Sequence, residues 1–423
     1  MPRVFLLTLG CPKNTVASRR LGENLIRAGL ELTEVPDEAD ALVVNTCGFI
    51  EAASEESIEA LLELSRVKAR GGQRLAAVGC LAERYGKELA AALPELDICV
   101  GLDHAMELPR LLGEGGTVER DGKVAVGPSV YLEITSGCDQ RCSFCTIPRI
   151  HGPFNSRPPR EVRDEAAALV RSGARELVLV GQETGAYGSD LSPETDLAEL
   201  IRVLPDESGL AWLRVLYLQW YHVEERLLEV MAADPCIRDY LDIPIQHASP
   251  DIVKAMNRRG DAVKYLERLE KVRAYLPEVA LRTSLIVGFP GETDEDLLEL
   301  ADFLREARFD YVGVFEFSAE EGTAAAALPG QVSGDEKRER ADQIRLLADN
   351  IGHGSLTRRL GRKVEVLVEE VKGDLGIGRA WFQAPEIDGL VQFAGARSCR
   401  AGDFVEVRVV GVEGYDIMGN IDA

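Results

Sequence analysis

An α/β protein in three parts is predicted: an N-terminal parallel α/β domain, a central partial barrel of six (β/α) units, and a small all-β barrel at the end. Three observations predict it. Strand-like and helix-like runs alternate over about residues 1–120. The alternation repeats six times from Ser129. Beyond residue 363 it gives way to short strands punctuated by glycine. The chain has 423 residues, room for several domains at roughly 100–200 residues each. With 46% hydrophobic and 28% charged residues, long disorder and a fibrous fold are excluded.

In the first region, Val4 to Leu9, Ala41 to Thr46 and Arg74 to Gly79 read as buried strands, with Glu51 to Lys68 among the helices between them. Strands separated by helices form a parallel sheet. The glycine-rich, charged stretch Gly113 to Gly127 reads as a linker or hairpin. The six strands that follow lie near 129–135, 176–181, 212–218, 240–245, 280–288 and 311–318. Helices such as Arg160 to Arg171, Glu225 to Ala233 and Asp294 to Ala307 separate them. Six units are too few for a closed eight-stranded barrel, so an open partial barrel fits, with ligands expected at the strands' carboxyl ends. A polar helix over Gly334 to Leu360 leads to the tail. There Val364 to Val371, Gly376 to Phe382, Gly389 to Phe393 and Phe404 to Gly411 read as the strands of a small barrel.

No apolar run approaches the ~18 residues of a membrane span, and the N-terminus lacks a signal-peptide core. A cytoplasmic protein without a membrane partner is expected. The formal net charge is −23, which repels bare phosphate backbones at long range and favours a basic partner. Only a local basic patch would bind RNA, so nucleic acid is not expected as the primary partner. Nine cysteines, an odd number, argue against a disulfide framework and for metal or redox chemistry.

Cys138-Asp139-Gln140-Arg141-Cys142-Ser143-Phe144-Cys145 follows the first strand of the six-unit region. Three thiolates on one loop can wrap a face of an iron–sulfur cube, and the absent fourth thiolate leaves one iron open to a ligand. A structural zinc site with His151 as fourth ligand is the alternative, but the paired C-x₂-C knuckles are missing. Cys11, Cys47 and Cys80 each follow one of the first three strands, so a parallel sheet would bring their sulfurs together. On spacing alone three buried structural cysteines fit as well as a cluster; the repeated position after a strand favours the cluster. Cys99, Cys236 and Cys399 have no partner at ligand spacing and read as structural.

The C-x₃-C-x₂-C spacing after a barrel strand resembles the radical S-adenosylmethionine (SAM) superfamily. Two three-cysteine sets ahead of a β-barrel tail resemble, over nearly the whole chain, its methylthiotransferase family. That resemblance implies two [4Fe–4S] clusters, one on Cys138, Cys142 and Cys145 and an auxiliary one on Cys11, Cys47 and Cys80. It implies SAM both as methyl donor and as radical source, and an external electron donor. It divides the chain into an N-terminal methylthiotransferase domain over 1–122, a radical SAM core over 123–355 and a TRAM domain over 356–423. One branch of the family modifies an adenosine of transfer RNA. The other modifies the β-carbon of an aspartate in small-subunit ribosomal protein S-twelve. Leu9-Gly10-Cys11-Pro12-Lys13-Asn14, Gln182-Glu183-Thr184-Gly185-Ala186-Tyr187-Gly188 and Gly414-Tyr415-Asp416-Ile417-Met418-Gly419 resemble the ribosomal-protein branch. From Val364 onward five basic residues face eleven acidic ones, a tail of about −6 that suits a basic protein substrate better than RNA.

Softer expectations attach to other rim residues. Gln182 and Glu183 end the second barrel strand and are expected to contact SAM or substrate, unless Glu183 serves only as a helix N-terminal acid. His247 reads as a hydrogen-bonded structural group or a site residue. Gly288 to Thr293 reads as a turn and helix cap, and Glu316 as a side chain directed into the barrel.

Overall fold

A computed structural model describes residues 1–113, 124–206 and 209–421. Most of the expected linker or hairpin, residues 114–123, lies outside the described residues. Contacts group the chain into two units. One comprises Met1–Ala125, Gly137–Asp139 and Thr146–Pro153; the other comprises Val126–Ser136, Gln140–Cys145 and Phe154–Ala423.

The first unit is built on β1 (Arg3–Thr8), β2 (Glu31–Thr33), β3 (Ala41–Thr46), β4 (Arg74–Gly79) and β5 (Ile98–Val100), an all-parallel sheet in the order β2-β1-β3-β4-β5. The three expected strands occupy its centre; the edge strands β2 and β5, three residues each, are too short to announce themselves. Every residue of β3 is buried, as a strand covered on both faces requires. Its alternation sorts the core. Ala41 and Val43 pack with Leu21 and Leu25 of α1 (Pro12–Arg27). Leu42 and Val44 pack with Leu61 and Leu64 of α2 (Glu51–Gly71) and with Leu81 and Leu89 of α3 (Cys80–Ala92). Two short helices, α4 (Leu108–Leu111) and α5 (Ile147–Ile150), complete the unit.

In the second unit β6 (Ser129–Glu133) ends earlier than expected. The chain then forms a two-residue strand β7 (Thr135–Ser136) that pairs antiparallel with β8 (Asn155–Ser156). The remaining sheet strands are β9 (Glu176–Val180), β10 (Trp212–Val215), β11 (Ile237–Asp242), β12 (Ala280–Val287) and β13 (Tyr311–Glu316). With β6 they make a six-stranded parallel sheet in the order β13-β12-β11-β10-β9-β6, the open partial barrel expected. Its helices are α6 (Pro159–Arg171), α7 (Leu197–Val203), α8 (Glu225–Ala233), α9 (Pro250–Ala255), α10 (Ala262–Tyr275), α11 (Asp294–Ala307) and α12 (Gly334–Thr357). The expected cap is present: Thr293 Oγ1 accepts from the Asp296 amide, and Asp296 Oδ2 accepts from the Thr293 amide.

The strand positions alternate in chemistry. Leu132, Leu177, Leu179, Leu213, Val215, Leu241 and Leu281 join the helices in one large apolar core. The intervening positions Tyr131, Glu176, Arg214, Tyr240, Asp242 and Arg282 lie on the other face. There they meet the C-terminal barrel, whose strands β14 (Lys363–Lys372), β15 (Leu375–Ala380), β16 (Val391–Ala394), β17 (Phe404–Glu413) and β18 (Asp416–Ile421) close in the order β14-β15-β16-β18-β17. The sequence reading has four of these strands. The fifth, Asp-Ile-Met-Gly-Asn-Ile, is poor in strand formers and is held by its partners β16 and β17.

The loop from β15 to β16 reaches the polar face of the sheet. Tyr131 and Arg214 donate to the carbonyls of Pro385 and Trp381, at 3.1 and 2.9 Å. Fully buried Glu176 accepts from Arg214 Nε at 2.9 Å, Arg379 Nη2 at 2.5 Å and Ser129 Oγ at 2.7 Å. Burial alone would raise the Glu176 carboxyl; the Arg379 and Arg214 guanidiniums outweigh it and hold the group at about 2. Asp388 accepts from Tyr240 at 2.5 Å and from the Ala384 amide at 2.9 Å, and burial pushes its carboxyl up to about 6 against the pull of Arg282.

Removing the charge of Glu176 leaves two guanidiniums buried. Glu176→Gln is expected to lower unfolding free energy by about 3–5 kcal/mol at neutral pH, measured by chemical denaturation. The folded pKa is depressed, so this stabilisation is present above the ordinary glutamate value near 4.3 and is lost as pH falls toward about 2. The gap between wild type and variant is therefore expected to narrow on acidification through that window.

Candidate active site

In the first unit, neighbouring strands end level with one another: Thr8 pairs with Asn45, and Thr46 with Gly79. Cys11 caps α1 just beyond β1, Cys47 follows β3 directly, and Cys80 follows β4 as the first residue of α3. The structure thus brings the three N-terminal thiols to adjacent positions along one sheet edge. Cys11 is exposed, whereas Cys47 and Cys80 are buried. Burial raises the Cys80 thiol to about 12, with a further push from Cys47 and Cys11. Burial also raises Cys47, and Cys11 adds to the shift.

Two glycines make that approach possible. Gly10, at φ +91°, would place a Cβ 2.6 Å from Cys47 Cβ and 2.8 Å from its sulfur. Gly79, at φ +97°, would place one 2.4 Å from Asn45 Oδ1. Buried Asn14 ties the strand ends together. Its Nδ2 donates to Leu9 O at 2.7 Å and Thr46 O at 3.1 Å, and its Oδ1 lies 3.8 Å from Cys80 Sγ. Ser57 Oγ accepts from the Cys47 amide at 2.9 Å. His151 Nε2 lies 3.6 Å from Cys80 Sγ. The histidine weighed as a zinc ligand beside Cys138 therefore stands against the other thiol set. Asn14 belongs to a motif that carries a family likeness alone, Ser57 carries no sequence signal, and the place of His151 beside Cys80 was hidden because the two are 71 residues apart.

Around the second set, Gly137 at φ +68° precedes buried Cys138, whose amide donates to Gly152 O at 3.3 Å. Cys138 is grouped with the first unit and Cys142 and Cys145 with the second. Within the second unit the loop is moored to the segment after α9. The Ser143 amide donates to Met256 O, Ser143 Oγ to Ala255 O, and Asn257 Nδ2 to Arg141 O. Phe144 packs on the cluster of Ile252, Met256, Phe289 and Phe317. Arg258 Nη1 donates to Cys142 Sγ at 3.6 Å, while its Nη2 donates to Gln219 Oε1 at 2.7 Å and Pro244 O at 2.6 Å. Arg258 too escapes sequence reading.

Gln182 and Glu183 lie past β9, at the carboxyl end of the sheet. Glu183 is buried, with Oε1 3.7 Å from His222 Nε2. The Tyr221 hydroxyl is raised chiefly by burial and also by Glu183 and Cys142, with Arg258 opposing, so these four groups share one neighbourhood. His247 is fully buried, with a hydrogen bond on one ring nitrogen and, among the described residues, none on the other. Its Nδ1 accepts from the Ser249 amide and its Nε2 faces Glu292, which also accepts from Gly288 and Arg340. Glu316 departs from expectation: it shares its strand parity with Val312 and Val314, which pack on the helix side, and it stands 3.9 Å from Arg345 of α12. All nine cysteines are free thiols.

Among the described residues, no group of three or more His, Cys, Asp and Glu side chains could hold a metal ion as it stands. A cuboidal cluster keeps its thiolates on separate irons, so its ligands need a shared space and soft donors, without touching one another. The thiol-only donors and the glycine-lined edge of the N-terminal set fit that requirement.

Gly10→Ala is expected to destabilise the chain by about 2–4 kcal/mol in chemical denaturation, since a left-handed alanine costs about 1–2 kcal/mol before any clash. Gly72→Ala, also left-handed but with nothing within 4 Å, supplies the backbone part alone. The difference reports the contact with Cys47.

Residues 132–304 match the Radical SAM superfamily, residues 3–101 an uncharacterized protein family (UPF0004), and residues 360–421 the TRAM domain. Among curated relatives, the ribosomal protein uS12 methylthiotransferase RimO of Desulforamulus reducens is 41% identical, covering 100% of both chains. The protein of the same name from Pelotomaculum thermopropionicum is 43% identical, over 99% of this chain and 98% of its own. Two solved structures share the fold. The radical SAM methyltransferase TsrM from Kitasatospora setae has a TM-score of 0.52 at 15% identity, over 75% of each chain. The cobalamin-dependent radical SAM enzyme OxsB has a TM-score of 0.52 at 15% identity, over 82% of this chain and 56% of its own.

Proposed function

The chain belongs to the radical SAM methylthiotransferases of the RimO family, and from that membership we propose that it methylthiolates the β-carbon of an aspartate in ribosomal protein uS12. One observation carries the reading. Reductive cleavage of SAM needs a single three-thiolate site, yet the chain has a second thiol set gathered on its own sheet edge. A second cluster there would give the enzyme a source of sulfur beside the radical-forming one, as the methylthiotransferase reading requires. The acidic tail suits a basic ribosomal protein, and the relatives reported carry the ribosomal-protein name, so the transfer-RNA alternative has no comparable support.

In this reading Cys138, Cys142 and Cys145 hold the SAM-binding [4Fe–4S] cluster, and Cys11, Cys47 and Cys80 hold an auxiliary one. When bound, the first supplies the electron that cleaves SAM to a 5′-deoxyadenosyl radical, and the second takes part in delivering sulfur. The chain's own residues do the positioning. Asn14 and Ser57 fix the backbone around the auxiliary thiols, and Ser143, Asn257 and Arg258 fix the loop that presents Cys142. Gln182 and Glu183 bind SAM at the strand carboxyl ends, in the neighbourhood Glu183 shares with Tyr221 and Cys142. Fixed placement matters because so reactive a radical must meet one C–H bond only. The division of labour follows the segments 1–122, 123–355 and 356–423, with the acidic tail from Val364 onward docking the substrate. An electron donor is required as a partner.

Anaerobic incubation with iron, sulfide, SAM and reductant is expected to add one methylthio group to a uS12 peptide and none to transfer RNA, read by mass spectrometry. Product on the RNA alone would overturn the substrate assignment. Cys142→Ala is expected to abolish 5′-deoxyadenosine formation. Cys47→Ala is expected to keep it and lose thiolation. Glu183→Gln is expected to weaken SAM binding roughly tenfold in equilibrium titration, the loss of one charge-assisted hydrogen bond.

A further inference from the structure

Five arginines converge on one pocket of about 300 Å³ in the second unit: Arg273, Arg308, Arg358, Arg359 and Arg362. They come from the ends of α10, α11 and α12 and from the approach to β14. In a chain of net charge −23 such a concentration needs a reason. Three helix C-termini account for part of it, since each carries about half a negative charge that favours a nearby cation. Arg273, for example, donates to Arg308 O at 3.2 Å. The lining also holds two carboxylates, Glu278 and Asp310. Three helix ends and two acids supply about −3.5, against five guanidiniums; an excess of about +1.5 remains. Among the described residues none of the five is ion-paired. Arg359 lies over the Phe382 ring at 3.7 Å, and its Nε has no hydrogen-bond partner. Arg308, Arg358 and Arg362 are exposed at the rim.

The pocket is separate from the reacting end. Asp310 in its wall accepts from the Leu281 amide, at the amino end of β12. The thiol loop and Glu183 belong to the carboxyl ends, roughly 25 Å away along an eight-residue strand. The lining offers no amide or aromatic side chain to read a base, since the Phe382 face is already covered by Arg359. It can recognise negative charge and little else, which describes contact with a phosphate backbone.

We propose that this arginine pocket binds backbone phosphates of the ribosomal RNA surrounding the substrate protein, so that the enzyme engages uS12 within a ribosomal particle. The inference rests on the uS12 reading above and adds to it a second, electrostatic contact remote from the chemistry. The acidic remainder of the chain repels RNA at long range, so the pocket strengthens a complex that protein contacts have already placed.

The test compares wild type with Arg358→Glu/Arg362→Glu, two exposed positions outside the proposed cluster and SAM sites. Binding to isolated small ribosomal subunits is measured across a salt series, and thiolation is measured on the free uS12 peptide. The double variant is expected to bind subunits at least tenfold more weakly, with a salt slope smaller by about 1–2. Its rate on the peptide is expected to be unchanged. Equal affinity and slope for both proteins would overturn the proposal. So would calorimetric binding of inorganic phosphate, lost in the variant, with subunit binding intact, because the pocket would then serve a small phosphate. Arg308→Gln, which keeps a polar side chain on another element, is expected to reproduce a smaller weakening and guards against a misfolded double variant. Failure of wild type to thiolate any uS12 substrate would count against the function reading; subunit binding still decides the pocket.

Discussion

Parallel strands that are neighbours in one sheet end at the same edge, and the N-terminal unit uses that constraint to gather three thiols. Three cysteines far apart in sequence each follow one of three adjacent strands, so the ladder itself sets their spacing. Nothing about a single cysteine would place it there; the register does. Gly10 and Gly79 then remove the Cβ atoms that would hold the strand ends apart, and Asn14 replaces the hydrogen bonds that the sheet can no longer supply beyond its last residues. Burial, with a smaller push from the neighbouring thiols, raises Cys47 and Cys80 and keeps them protonated at neutral pH.

The second unit solves a different problem. An open barrel leaves polar strand positions facing an interior with no seventh and eighth strand to close it. Arg379 of β15 and Asp388 of the loop that follows supply the missing partners, reaching Glu176, Tyr240 and Arg282. The C-terminal barrel is thus tied to the amino-end half of the sheet by buried charges. Each of those charges is tolerable only because it is paired. The same architecture leaves the carboxyl ends to Cys142, Glu183, Tyr221 and Arg258.

The sheets and most helices were legible because continuous apolar runs and 3.6-residue periodicity are local signals. The C-terminal barrel was less so: β18 carries Asp, Gly and Asn in a strand stabilised by its neighbours. The cysteine sets were legible because thiols are rare and their spacing is telling. The groups that orient them were not. Asn14 and Cys80 are 66 residues apart, Cys80 and His151 are 71 apart, and Arg258 and Cys142 are 116 apart. Each pairing exists only in three dimensions. Glu316 shows the converse: its strand parity is that of Val312 and Val314 on the helix side, where Arg345 of a later helix stands beside it, and that parity becomes plain only once the register is known. The arginine pocket escaped for a similar reason. A charge count starting at Val364 excludes Arg358, Arg359 and Arg362, and nothing local joins them to Arg273 and Arg308.

The central claim is that two separate three-thiolate sets each hold an iron–sulfur cube. Iron and acid-labile sulfide, counted together with Mössbauer spectra on anaerobically reconstituted protein, test it most directly. The account predicts about eight iron and eight sulfide per chain in wild type, all in cubane clusters, falling to about four of each in Cys47→Ala. About four iron in wild type, unaltered by Cys47→Ala, would contradict it, as would stoichiometric zinc.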